Sequence, residues 1–253
     1  MSGHSKWSTI KRAKGAADAK RGLTFTKVGN AITIAARLGS SGDPESNPRL
    51  RMALEEARSV NMPKENIQRA IDRGLGNLPG QTIEEVIYEG FGPGKTAFLI
   101  EAITDNKLRT LQEMKNLFDR NGGVLGGSGS VAYMFKKVGE IKVISKGGNT
   151  EDEILEIIDS GAEDVEELNE EGKLKYLVYA DPTTYSEISS YIKGHGFTIE
   201  SEQVIMKPTI LAEIKDKETV EKILNFAGKL EDHDNIQKVY ANFDIPDEIV
   251  LSF

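Results

Sequence analysis

A chain of 253 residues with 38% hydrophobic side chains has the length and apolar content for more than one packed core. It contains no cysteine, which excludes disulfides, thiolate chemistry and cysteine-ligated zinc. Its three histidines are not at metal-ligand spacing, and no apolar run reaches the roughly 18 residues of a membrane span. The net charge of −8 is unevenly divided: residues 1–80 carry 14 Lys and Arg against 7 Asp and Glu, and the remainder 18 against 33. That asymmetry predicts one basic surface for an anionic polymer on a body that repels it.

The opening segment, MSGHSKWSTIKRAKGAADAKRG, is basic and poor in acid, a composition shared by presequences and nucleic-acid-binding arms. Helical periodicity follows. Phe25, Val28, Ile32 and Ala35 share one face of a helix that Gly39 closes. Asn47 offers an N-cap and Pro48 a first helical residue for a second helix, with Leu50, Ala53, Leu54 and Ala57 inward. A third helix opens at Pro63 after a turn at Asn61-Met62, with Ile67, Ala70 and Ile71 inward and Gly74 at its end. Two helices joined by so tight a turn, the second carrying Lys64, Asn66, Gln68, Arg69 and Arg73, have the outline of a helix-turn-helix. In such a motif these side chains pair with phosphates or base edges, although they also suit any exposed helix.

Glu89-Gly-Phe-Gly-Pro-Gly-Lys-Thr96 has the look of a nucleotide phosphate loop, but the spacing G-x-x-x-x-G-K-[ST] would need glycine where Glu89 stands. An apolar strand over 97–103, not a helix, comes next, so the stretch reads as a turn feeding a strand. Residues 121–130, NGGVLGGSGS, do not fit a dinucleotide fingerprint and are expected to form a mobile loop that lies against RNA, DNA or protein.

The acidic part repeats an architecture. A strand at 139–145, a helix at 151–160, strands near 163–168 and at 173–180, a helix from Asp181-Pro182 and a strand at 197–206 make βαββαβ. Before it lie a strand at 96–104, a helix at 107–120 and a strand at 131–136; after it lie a strand at 209–214, a helix at 217–229 and a strand at 236–241. These flanks make a second, interrupted βαββαβ. The expected fold class is α+β and multidomain: an N-terminal three-helix bundle (1–80), then two ferredoxin-like domains. One of these (138–206, acidic) is inserted in the other (81–137 plus 207–253). The tract 151–171, with 11 carboxylates and no Lys or Arg, reads as a solvated helix face and loop rather than a catalytic pair.

Ser2-Gly-His-Ser-Lys-Trp7, Asn61-Met-Pro-Lys-Glu-Asn-Ile67, Tyr88-Glu-Gly-Phe-Gly-Pro-Gly94, Thr104-Asp-Asn106 with Arg109-Thr110, and Gly127-Ser-Gly-Ser-Val-Ala-Tyr-Met-Phe135 occur in this order across nearly the whole chain. The set resembles the YebC family, whose eukaryotic relatives include the mitochondrial translational activator of cytochrome c oxidase. The resemblance implies three domains, no enzymatic activity, no cofactor, and either DNA-binding transcriptional regulation or a translational role at the ribosome. Because the family's opening motif begins at residue 3, no presequence is expected, which favours a bacterial cytoplasmic chain. Many relatives carry Arg-Gly-Lys where this chain has Arg21-Gly22-Leu23, so one presumed phosphate contact is missing.

The expectation is thus a cytoplasmic nucleic-acid-binding regulator of gene expression, without catalysis, cofactor, metal or membrane contact. Its partners are DNA and/or ribosomal RNA, with the transcription machinery or the ribosome. Lys6, Lys11, Arg12, Lys14, Lys20 and Arg21 neutralise phosphates; Trp7 stacks on a base or packs against the bundle. Lys64, Arg69 and Arg73 contact backbone or groove from the third helix. DNA and ribosomal RNA binding draw on the same residues. The rival reading is an interaction module whose α+β domains bind a ligand or protein while the basic arm only solubilises.

Overall fold

The computed structural model describes residues 17–78, 83–170, 172–246 and 249, with side chains from residue 22 onward. The elements are α1 (Ala17–Leu38), α2 (Pro48–Ser59), α3 (Lys64–Gly74), β1 (Glu84–Phe91), β2 (Ala97–Thr104), α4 (Lys107–Arg120), β3 (Val124–Leu125) and β4 (Phe135–Ile144). Then follow α5 (Thr150–Ile158), β5 (Asp164–Glu170), β6 (Lys173–Ala180), α6 (Tyr185–Gly194), β7 (Thr198–Pro208), β8 (Ala212–Glu213), α7 (Lys217–Glu231), β9 (Ile236–Ala241) and β10 (Phe243–Asp244). They form two compact units. Of the described residues, one comprises 17–131 with Glu218–Val239; the other contains Ala132–Lys217 and residues 240–246. The α+β class expected from sequence, with an N-terminal helical bundle before the sheet domains, is what this element order gives.

In the first unit, α1, α2 and α3 bury Val28, Ile32, Ala35, Leu50, Ala57 and Ile71 in one core. Asn47 explains how α1 hands over to α2. Its Oδ1 accepts the Leu50 N–H at 3.1 Å, capping α2, while its Nδ2 donates to the Ala35 carbonyl of α1 at 2.9 Å. Gly74, expected only to end α3, has a further role. It lies where α3 crosses α1, and a Cβ there would collide with the Thr33 carbonyl and the Ala36 side chain. Gly74→Ala is therefore expected to cost about 1–3 kcal/mol by overpacking, measured as a lowered urea midpoint with unchanged m-value. An unaltered midpoint would show that α1 and α3 can separate freely.

The sheet of this unit has the order β3-β1-β2-β9. Phe98 of β2, Phe118 of α4 and Phe226 of α7 meet edge to face, with ring centroids 5.0 Å (Phe98–Phe226) and 4.9 Å (Phe118–Phe226) apart. Gly90 and Gly92 lie against these rings, with no room for a Cβ. Ile34 of α1 packs with Ile83 and Ile103.

Three elements differ from the sequence reading. Residues 84–91 are a full strand, paired from Glu84↔Thr104 to Phe91↔Ala97. Residues 131–136 are not a strand of this sheet: Ala132–Met134 is a short 3₁₀ turn and Phe135 opens β4. The strand expected at 209–214 shrinks to Ala212–Glu213, paired in parallel with β10. The strand position antiparallel to both β2 and β3 is thus filled by β1, from before the interruption, instead of by a strand after it.

The second unit carries the complete βαββαβ set. Its sheet order is β5-β6-β4-β7 with every neighbour antiparallel, the arrangement of the split βαβ fold. Ile141, Val143, Tyr176 and Val178 of the sheet pack on Ile157 of α5 and on Ile188 and Ile192 of α6. Strand β4 starts four residues earlier than expected, because its pairing with β7 extends to Phe135↔Pro208.

The acidic tract is not a purely solvated surface. Glu153 and Glu170 are each 3% exposed, and the cations that the tract itself lacks come from β4, β6 and β7. Lys142 and Lys175 share the carboxylates of Glu170 and Glu200 at 2.6–3.0 Å. Burial alone would lower the Lys175 pKa, but hydrogen bonds to Glu170 and Glu200 raise it; the Glu200 carboxyl, also opposed by burial, is held down by Lys175 and Lys142.

Candidate nucleic-acid interface

Asn61 supplies the tight turn into α3 with a left-handed backbone (φ 56°), and the Met62 N–H donates to the Ala57 carbonyl at 2.9 Å. The chain reverses within a few residues, which lays α3 against α1. Thr33 fixes the crossing by donating its hydroxyl to the Ala70 carbonyl at 3.0 Å, while Met62 is buried beneath it.

Between the two helices lies an open groove of about 270 Å³. Phe25, Gly29, Met62 and Ala70 give it an apolar lining; Thr26 and Asn30 of α1 and Asn66, Arg69 and Arg73 of α3 supply its polar groups. Arg69 and Arg73, one helical turn apart, are both exposed, and Asn30 and Asn66 are half-buried. Among the described residues, none of these four side chains has a hydrogen-bond or ion-pair partner within the protein, and neither does Lys64. By contrast, Lys136, Lys142, Lys146, Lys175, Lys193 and Lys207 of the second unit are each held by a carboxylate. Among the described residues the cations of α3 have no carboxylate of their own, whereas those six lysines do.

Of the sequence-predicted contact residues, Arg69 and Arg73 come together on the groove, and Lys64 is exposed at the start of α3. Lys20 and Arg21 fall in the first turns of α1, their side chains outside the described set. Lys6, Trp7, Lys11, Arg12 and Lys14 lie outside the described residues altogether. Sequence reasoning missed the wall that Thr26 and Asn30 of α1 give to the groove. The signal was present: Thr26, Asn30 and Thr33 repeat at i, i+4 and i+7 beside the apolar face of that helix.

The two glycine-rich stretches are structural. Gly94 and Lys95 adopt left-handed backbones (φ 67° and 58°) in the turn between β1 and β2, closed by the Gly92 N–H to the Thr96 carbonyl at 2.8 Å. A strand, not a helix, follows the turn, as expected. The loop after α4 was expected to be mobile and to lie against a ligand. Instead it is clamped, because the buried Glu89 carboxylate accepts the N–H groups of Gly129 and Val131, both at 2.8 Å. Asp105 and Asn106 act locally on α4: Asn106 caps it through the Arg109 N–H at 3.0 Å, and Asp105 holds the Arg109 guanidinium at 2.7 Å. Among the described residues no group of three or more acidic or histidine side chains is placed to hold a metal, and no helix is long and apolar enough to cross a membrane.

A helical bundle with an unpaired cationic groove, followed by two antiparallel-sheet domains, defines a multidomain α+β protein with a basic module at its N-terminal end. Comparison with known proteins narrows the class. Residues 5–77 match the model of the TACO1/YebC protein N-terminal domain, and residues 83–243 match that of the TACO1/YebC second and third domain. The chain belongs to the TACO1/YebC family. It is 45% identical to a protein of Syntrophomonas wolfei over the full length of both, and 47% identical to one of Treponema pallidum over 99% of this chain and 100% of that one; each is named a probable transcriptional regulatory protein. A crystal structure of a conserved hypothetical protein from Aquifex aeolicus superposes with a TM-score of 0.79 at 42% identity, covering 92% of this chain and 94% of that one.

Proposed function

We propose that the protein is a cytoplasmic nucleic-acid-binding regulator of gene expression, acting on DNA through its helical bundle and its basic N-terminal segment. The observation that carries this reading is the pair of arginines, Arg69 and Arg73, without a partner among the described residues, on an open groove of the basic module. The names of the relatives from Syntrophomonas wolfei and Treponema pallidum point the same way. In this reading Lys64, Arg69 and Arg73 join Lys6, Lys11, Arg12, Lys14, Lys20 and Arg21 in neutralising phosphates, Trp7 stacks on a base or packs against the bundle, and the protein carries out no catalytic step. The acidic sheet domain, proposed as an insertion in a split domain, keeps the polymer on the basic face by repulsion.

Phosphate contacts release condensed counterions, so affinity for duplex DNA should fall with log[salt] at a slope of about −0.9 per contact. Arg69→Ala with Arg73→Ala should flatten that slope by up to about two, and Lys11→Ala, Arg12→Ala and Lys14→Ala together by up to about three. Fluorescence anisotropy over a salt series checks both. Structured ribosomal RNA is titrated alongside, and tighter binding of RNA at equal salt would move the reading to translation. If both variants bind both polymers with the parent's affinity and slope, the basic module is only a solvated surface.

A further inference from the structure

We infer that the groove between α1 and α3 takes a single unpaired nucleotide, its base inserted between the helices and its flanking phosphates on Arg69 and Arg73. The inference rests on the nucleic-acid reading above and goes beyond it in naming what the site accepts.

The shape of the site argues against duplex readout at this place. A helix that reads duplex DNA must project into a major groove about 12 Å wide. Arg69 and Arg73 instead border a concavity that α1 walls on its other side. At about 270 Å³ that concavity is small, below the range of drug-sized ligand pockets. It suits one planar group and excludes a base pair still stacked in a helix.

Its chemistry fits a base more closely than a bare phosphate. Phe25 and Met62 give an apolar surface for the faces of a ring, and methionine adapts to different ring shapes. Asn30 and Asn66 stand on opposite helices, half-buried, with no partner among the described residues. A carboxamide offers both donor and acceptor groups, the complement of a Watson–Crick edge that pairing would otherwise occupy. The guanidinium groups lie on the same groove, where two consecutive phosphates of an extruded nucleotide can reach them. Apolar faces, a hydrogen-bonding edge and adjacent negative charge occur together in a nucleotide unstacked from a loop, bulge or single strand. RNA and DNA share this chemistry.

The test uses the full chain and four probes: a fully paired RNA duplex, the same duplex with one bulged nucleotide, and the DNA counterparts of both. The parent should bind the bulged probe about tenfold or more tightly than the paired one, the scale of one stacked or bidentately read base. Comparing the RNA pair with the DNA pair identifies the source. Asn30→Ala with Asn66→Ala should bring the ratio of affinities down to about one. Gly29→Leu, which fills the groove from α1 at a position where an added Cβ makes only ordinary contact with Met62, should do the same. Thermal unfolding of both variants checks that the bundle is intact. Equal binding of paired and bulged probes by the parent overturns the inference while salt-dependent affinity still supports the general reading. A preference that survives in both groove variants overturns the placement of the site. Absence of binding to every probe removes the nucleic-acid reading itself, and this inference with it.

Discussion

Glu89→Ala should release the glycine-rich loop after α4 and lower the stability of the first unit by about 3 kcal/mol or more, since each hydrogen bond to a buried charged group contributes about 1.5–3 kcal/mol. The carboxylate is 5% exposed and holds two backbone N–H groups, at Gly129 and Val131. Removing it leaves both donors without their acceptor, the Val131 N–H in a buried site and the Gly129 N–H at an exposed residue. Glu89→Gln keeps one acceptor and should lose roughly half as much. Denaturant melts give the stability change. Amide exchange at Gly129 and Val131 shows whether the loop itself has opened; protection unchanged in the alanine variant would mean that the loop is held by its other contacts.

Glu153→Gln should destabilise the second unit by about 1.5–3 kcal/mol at neutral pH. Burial by itself would raise the pKa of this carboxyl. Four donors overcome that and hold it below the usual carboxylate range: the Ser145 hydroxyl at 2.8 Å, the Gly148 N–H at 2.9 Å, the Tyr176 hydroxyl at 2.9 Å and the Lys146 N–H at 3.3 Å. An amide in its place turns a donor toward other donors. Because the folded pKa lies below the unfolded one, near 4.3, the stabilisation is complete above that value and is lost as pH falls through the folded pKa. The gap between parent and variant should therefore be widest at neutral pH and close in acid. Burial and the Glu153 carboxylate push the Tyr176 phenol up, so it remains a donor across this range. A pH series of urea melts checks the sign, and a gap that widens in acid would refute it.

Where the sequence was legible, local chemistry and tertiary packing agreed. Asn47 followed by Pro48 announced α2 because cap, first-turn proline and apolar spacing point to the same start. The βαββαβ set of the second unit was readable from alternation and helix periodicity for the same reason. Strand β1 was not, because it buries a glutamate and a glycine, residues that strand propensity disfavours. Both are there for tertiary reasons: Glu89 to clamp a loop distant in sequence and Gly90 to admit Phe118. Val131 to Phe135 reads as one apolar strand, yet a 3₁₀ turn intervenes before Phe135 joins the other sheet; composition does not reveal which sheet an edge residue will join. At the groove, Arg69 and Arg73 were legible from charge. Asn30 was not, since an asparagine in a helix has no meaning until the neighbouring helix is placed.

The interruption of the first unit bears on the order in which the protein can be made. Phe226, which bridges Phe98 and Phe118, follows residues 132–217 of the second unit in sequence, as does Asn235, whose side chain reaches Thr110 across 125 residues. A chain emerging from the ribosome therefore exposes Phe98 and Phe118 while the entire second sheet is still being synthesised. That sheet needs nothing beyond Pro208 to close, so it can fold first as a unit. The earlier-made half of the split sheet must wait with its aromatic face uncovered.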